Sequence, residues 1–303
     1  MGVETKRATP TTFPVREKRI RVLWLILPTL LVLGILFLGG FFFGVLQSFG
    51  LFSVVVDDSS GVSLDAYRAA LASEKVRAGL ALTFRIAVLA TVLSTIIALI
   101  LAISISRTKR FQKLIISLTQ FNIPIPHVVA ATAILLTFSQ SGIISRVSNA
   151  IGLTEGTSDF PIITNDPSGF GILLSFLWKE IPFMCILILG ALRGPVTALD
   201  ETAKTLGASY SYRLRKVIIP YIFPSILSGT IIVFAFTFGS FEVPFILGQP
   251  YPPMLSVATY EFYTDRDLVN RPIAMALATL TSLSIAFLVL IYMRVTRRET
   301  RKK

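Results

Sequence analysis

Long apolar runs alternate with short polar, charge-bearing connections along the whole 303-residue chain. Six of the runs are long enough, at about 20 residues each, to cross a hydrocarbon layer of about 30 Å as helices. They fall near Val22–Leu46, Gly79–Ile105, Leu114–Phe138, Phe170–Leu192, Ile222–Val243 and Ile273–Met293. The pattern predicts an all-α polytopic membrane protein with six transmembrane helices. The expected organisation is a polar tail over 1–21, a six-span domain over 22–293 with its core at 79–293, and a basic tail over 294–303. The first run is far longer than the roughly 7–15 residues of a signal h-region, so it is expected to remain as a span.

The connections orient the spans. Lys and Arg crowd the N-terminal tail, Arg107–Lys113, Arg193–Lys216 and the C-terminal tail, and they far outnumber Arg68, Lys75, Arg77, Arg146, Arg266 and Arg271 on the other side. By the positive-inside rule both termini are expected in the cytoplasm. The outward connections hold most of the acids and no large domain. In the first, Asp65–Arg77 has helical spacing. The second, with Pro161 and Pro167 in Thr157–Gly169, reads as loop. The third brings prolines together with Tyr251, Tyr260, Phe262 and Tyr263, aromatics suited to the headgroup level or to a docking partner.

Two places depart from a plain lipid-facing helix. Asn122-Ile-Pro-Ile-Pro-His127 begins or breaks the third span, and Gly239–Pro244 interrupts the fifth. Prolines free backbone carbonyls, which must find other partners inside the protein. Such positions serve either as packing kinks or as walls of a pathway. Glu180 and Glu242 are acids within apolar runs, where a carboxylate costs about 2.5–3.5 kcal/mol on insertion scales. They face a cavity or lie at the outer interface. In the first case Glu242, beside Phe241 and Pro244, would line an outer gate.

Composition narrows the chemistry. Hydrophobic residues make up 53% and charged residues 15%, against about a quarter charged in soluble domains. The net charge of +12 follows from charges clustered at the ends of apolar runs, so topology explains it and no nucleic acid is expected. Cys185 is the one cysteine and His127 the one histidine. No internal disulfide or usual zinc site can form, and neither metal nor cofactor is expected. No G-x-x-x-x-G-K-[ST] sequence and no nucleophile–base motif occurs, so the chain is expected to be non-catalytic and to draw energy from a partner.

One polar, basic island, Leu199–Pro220, separates two apolar runs. Asp200 and Glu201 are expected near a helix N-terminus, with Gly207 and Ser209 turning the chain soon after. Arg213, Arg215 and Lys216 then precede the run that begins at Val217. Glu201-Thr202-Ala203, three residues, Gly207, nine residues and Val217-x-Ile219-Pro220 resembles the EAA loop, E-A-A-x3-G-x9-I-x-L-P, of binding-protein-dependent ABC importer permeases. Thr202, Val217 and Ile219 replace the family's usual Ala, Ile and Leu. The Pro-x-Pro run before the third span and Trp178–Pro182 are similar to that family too, which extends the resemblance from about Thr83 to Ala286.

The resemblance implies a cytoplasmic coupling helix that docks on an ATPase subunit through Asp200, Glu201, Thr202, Ala203, Gly207, Ala208, Ser209 and Pro220. It also implies a dimer of ATP-binding cassette subunits, a second permease, an extracytoplasmic solute-binding protein and a location in a bacterial-type inner membrane. The run Gly239–Gly248 looks more like the spermidine/putrescine branch than the sugar branch, so a polyamine or similar small cation is the expected substrate. Iron, sugar and phosphonate importers stay as alternatives. An ion-gradient-driven secondary transporter is the rival from another class, but the inverted repeats and paired midplane acids it calls for are not found.

Overall fold

The computed structural model describes residues 15–52, 61–108 and 110–300. Parts of both expected tails, together with Asp57 and Asp58, lie outside the described residues. Helices make up the fold, and no strand occurs among the described residues. In chain order they are α1 (Val15–Leu33), α2 (Gly39–Ser48), α3 (Asp65–Ala72), α4 (Glu74–Arg107), α5 (Gln112–Gln120), α6 (His127–Phe138) and α7 (Ile143–Ala150). There follow α8 (Phe170–Leu192), α9 (Val196–Thr205), α10 (Tyr210–Arg213), α11 (Ile219–Gly239), α12 (Glu242–Leu247), α13 (Leu255–Tyr263) and α14 (Arg271–Thr300).

Six stretches are long and apolar enough to span a membrane: Trp24–Ser48, Glu74–Arg107, His127–Ala150, Phe170–Leu192, Tyr210–Gly239 and Leu268–Arg294. The protein is all-α and polytopic. Four differences from the sequence pattern have local causes. Helix begins at Val15, so the final part of the basic tail is helical, and at the other end α14 continues to Thr300; Lys and Arg are good helix formers. The third span lies over His127–Ala150, α6 and α7, and not Leu114–Phe138: the run with Pro124 and Pro126, expected to begin or break it, separates α5 and restarts the chain at His127. Asp65–Arg77 splits at Ser73, which is extended and caps α4. Within the third outward connection, α13 forms around Tyr260.

Helices α4 and α8 form the axis of the bundle. Along α4, Ala87, Ala90, Ser94, Ala98 and Ala102 are fully buried at helical spacing. Lipid tails are as apolar as leucine, so helices in a membrane associate through close packing, and a stripe of small residues permits it. Toward the end that leads to α9, Ala98, Ala102 and Ile105 of α4 pack with Met184, Cys185, Ile188 and Leu189 of α8 and with Ile222, Ile226 and Val233 of α11. Toward the other end, Leu82, Ile86 and Ala90 meet Ile172 and Phe176 of α8, Ile134 of α6 and Val243 and Leu247 of α12. There the backbone at Pro253 comes so close to α4 that a Cβ on Gly79 would lie 2.5 Å from the Pro253 carbonyl oxygen. Thr83 Oγ1 closes the contact by accepting a hydrogen bond from Leu255 N at 2.8 Å.

The start of α8 is fixed from the loop before it. Asp166 accepts hydrogen bonds from Phe170 N at 2.9 Å and Gly171 N at 3.2 Å, and from Ser168 Oγ. Arg85 of α4 donates to Ser168 O at 2.5 Å. Burial pushes the Asp166 carboxyl up, but these hydrogen bonds outweigh it and hold the group below the ordinary 3.8. A depressed folded value means stability that is present above pH 3.8 and is lost as pH falls through the lower folded value. Asp166→Asn should lower the thermal midpoint in detergent at pH 7, and the gap to wild type should close as pH drops below that range. A gap that stays constant to the acid limit would show that the charge plays no part in the cap.

Candidate functional site

The island between α8 and α11 folds as a compact handle. Pro195 precedes α9, which starts at Val196, so Asp200 and Glu201 lie in the body of the helix and not in its first turn as the sequence suggested. The helix ends in two crossed backbone bonds, Ala208 N to Ala203 O at 3.0 Å and Gly207 N to Lys204 O at 3.0 Å. This is a Schellman cap, which needs the left-handed conformation at its third position. Gly207 supplies it with φ +81°. Ser209 then caps α10, its hydroxyl accepting from Tyr212 N at 3.4 Å. Leu214–Ile218 form a π turn just before Pro220, which absorbs the missing N–H as the chain enters α11.

One face of the handle is tied down and the other is open. Arg213 donates to the Asp200 carbonyl at 3.4 Å and lies 3.5 Å from its carboxylate. The Arg107 guanidinium stands 3.3 Å from the Tyr210 ring centroid, which binds the end of α4 to α10. Glu201, Thr202 and Gly207 are exposed, whereas Ala203 and Ala208 are half-buried. Nothing in the chain lies within 4 Å of a Cβ built on Gly207.

A second polar cluster sits halfway along α8, far from that handle. Lys179 and Glu180 are buried, at 5% and 6% exposure. Lys179 Nζ donates to three carbonyl oxygens in the break between α5 and α6, those of Asn122, Ile123 and Ile125, at 2.8, 3.1 and 2.6 Å. Asn122 Nδ2 donates in return to Trp178 O. Glu180 Oε1 lies 3.4 Å from His127 Nε2, and the His127 ring stands against Phe236 at 4.5 Å. Together with Ile123, Phe183 and Ile232, these side chains line an open cavity of about 200 Å³.

The other candidates are not part of this cluster. Glu242 is the first residue of α12 and exposed, where the helix dipole favours a carboxylate. Phe241 stacks on Phe245 and meets Tyr260 at a tilt of 51°, each at 5.0 Å, and Pro244 is buried with its carbonyl accepting from Gly248 N at 2.9 Å. Sequence reasoning did not make Lys179 a candidate. A lone lysine in an apolar run, with Pro-x-Pro elsewhere in need of donors, was the signal available. Among the described residues no group of three or more His, Cys, Asp or Glu could hold a metal.

Residues 77–302 match the family of binding-protein-dependent transport system inner membrane components. The chain belongs to this family. Its relatives include the inner membrane ABC transporter permease protein YdcU of Escherichia coli (strain K12), 28% identical over 166 residues, 53% of this chain and 52% of that one. The match thus spans about half of that relative's length. The molybdenum transport system permease protein ModB of Mycobacterium tuberculosis is 24% identical over 212 residues, 70% of this chain and 76% of that one. In fold, the inner membrane component is similar to a bacterial ABC transporter involved in the import of the acidic polysaccharide alginate, with TM-score 0.74, 21% identity and coverage of 93% of this chain and 98% of that one. A second structure of the alginate transporter, in complex with its pentasaccharide-bound periplasmic protein, gives a TM-score of 0.76 at 21% identity over 94% of this chain and 97% of that one. The family is that of a transport permease, a multi-pass membrane component.

The handle of this permease component depends on Arg213. Arg213→Ala should speed hydrogen exchange across Val196–Thr205 by up to about fivefold, the effect of roughly 1 kcal/mol for a partly exposed pair. Exchange in α8 should not change. Equal rates in α9 would remove the brace from the account.

Proposed function

We propose that the chain forms half of the transmembrane pathway of an ATP-driven importer, with α9 as the helix on which a cytoplasmic ATPase subunit acts. The observation that carries this reading is a short helix braced on one side to α10 through Asp200 and Arg213, with α10 in turn held to α4 by Arg107 over Tyr210, that offers Glu201, Thr202 and Gly207 on the other. In this reading both termini lie on the ATPase side. A dimer of ATP-binding cassette subunits supplies the hydrolysis, a second permease completes the pathway across the lipid, and an extracytoplasmic binding protein delivers the solute. Asp200, Ala203, Ala208, Ser209 and Pro220 shape the handle, while Glu201, Thr202 and Gly207 meet the partner. Phe241, Glu242 and Pro244 stand at the outer gate.

Glycine at 207 separates shape from docking. Ala there meets only the cost of positive φ, about 1 kcal/mol. Arg adds bulk that the chain itself has room for. Gly207→Ala should keep ATP-dependent uptake, whereas Gly207→Arg at equal abundance should uncouple hydrolysis from uptake or release the ATPase during purification. Full coupled activity in Gly207→Arg would take α9 out of the interface.

For the substrate we propose a polyamine or similar small cation. A lysine lines the mid-span cavity, but all three of its protons are engaged by carbonyls. Glu180 keeps acceptor capacity beyond its contact with His127, so a passing solute meets an acceptor there and not a donor. Relatives named for the transport of molybdenum and sulfate favour an oxyanion as a second reading. Reconstituted with its binding protein, wild type should take up radiolabelled putrescine, and Glu180→Gln should reduce that uptake roughly tenfold, equivalent to about 1.4 kcal/mol. Uptake of sulfate or molybdate in its place, unaffected by Glu180→Gln, would decide for the oxyanion.

A further inference from the structure

A proline within α8 leaves one carbonyl without its helical donor, and the turn between α5 and α6 holds several carbonyls outside any helix; side chains of each element satisfy carbonyls of the other. Pro182 has no N–H to give to Trp178 O, four residues earlier, while in the turn Asn122 O accepts from Ile125 N at 3.2 Å and keeps a second lone pair. Asn122 O accepts from Lys179 Nζ at 2.8 Å, and Trp178 O accepts from Asn122 Nδ2. Lys179 spends its remaining protons on Ile123 O and Ile125 O. Asn122 is 2% exposed and Lys179 5%. In a hydrocarbon layer none of these groups has water to fall back on, so separating the two helices at this level would strand a buried cation and several carbonyls.

We infer that this reciprocal lock makes the α5–α6 break and α8 one rigid unit during transport, with Lys179 and Asn122 as its positioning residues. The inference rests on the reading of α9 as the driven helix. Helix α8 runs into α9 through Arg193, Gly194 and Pro195 alone. A displacement of α9 therefore reaches α8 through this short joint, crosses to the break at Lys179, and moves α6. Helix α6 packs on α12, where Ile134 and Ala131 share a cluster with Val243 and Leu247. The lock thereby joins the handle to the segment that begins with Glu242 at the opposite end of the bundle. A kink with packing value alone would need carbonyls satisfied, but not by a buried charge whose removal leaves both helices incomplete.

The test uses the complete transporter, purified with its ATPase, on a Cys185→Ala background. Spin labels are placed at Leu118 on α5 and Arg193 at the end of α8, both exposed. With the lock intact, the distance between the labels should be the same with ADP as with ATP and orthovanadate, apart from the ~1–2 Å that packed helices shift. In Lys179→Met the distance should differ between the two states, and stimulation of the ATPase by the loaded binding protein should be lost. Asn122→Ala, a milder variant in case Lys179→Met does not accumulate, should reproduce the change, and Lys179→Arg should restore the wild-type behaviour. Unchanged distances in Lys179→Met and Asn122→Ala, with normally stimulated hydrolysis, overturn the lock while leaving the importer reading in place. A wild-type preparation that carries no ATP-hydrolysing partner overturns the importer reading, and the lock's mechanical role falls with it.

Discussion

A backbone carbonyl inside a membrane has no solvent to accept it as a partner, and most of the irregular features of this protein are answers to that fact. Where helices continue, the ladder settles the matter. Where a proline interrupts a helix, as at Pro182, or the chain leaves helix altogether, as between α5 and α6, donors come from another element, and Asn122 and Lys179 supply them. The same demand operates at helix ends. Asp166 takes up free N–H groups at the start of α8, and Thr83 reaches the backbone of Leu255 across the α4–α13 contact. At Gly207 crossed backbone bonds close the last turn of α9. Hydrophobic burial cannot hold helices together in lipid, so these polar anchors, set on the small-residue seam between α4 and α8, fix which helix meets which.

That seam gives the bundle a direction. Helix α8 touches the core clusters at both ends of the bundle, carries the buried Lys179–Glu180 pair between them, and passes almost without interruption into α9. The two ends are also built differently. Near α9, arginines stand over aromatic rings and pair with Asp200, charged contacts that suit an aqueous surface. Near α12, ring contacts among Phe241, Phe245 and Tyr260 prevail. A small rotation of α8 would therefore be felt as sliding of rings at one end and as tilting of a polar handle at the other.

How much of this could be read from sequence follows from which interactions are local. The fourth span was legible to the residue, since Phe170–Leu192 is bounded by Gly169 and Arg193 and apolar between. The polar island was legible because nothing so hydrophilic can lie in lipid. Its helix was placed too late, because Val196 and the residues that follow continue the apolar run of α8 and hide the start at Pro195. The Pro-x-Pro run was legible as a start or break of the third span, but its bounds were placed near Leu114–Phe138 because hydropathy averages over Pro124 and Pro126, whereas the spanning stretch runs over His127–Ala150. The prolines announced that carbonyls would be freed, but not where donors would come from. Lys179 and Asn122 are 57 residues apart, and no periodicity links positions that meet only when two helices pack.

The same reasoning explains why relatives of known substrate say little about the solute of this chain. At 21–28% identity the comparisons speak to the fold and not to the solute. The side chains that line a cavity can change with the solute. In this chain one of those lining residues, Lys179, belongs to the anchors and not to the cavity, although it borders both. Its charge is fixed by the backbone it holds, so the group left to vary beside it is Glu180, with His127 opposite. On the polyamine reading proposed above, selectivity inside the membrane would rest on that one carboxylate and the ring that faces it.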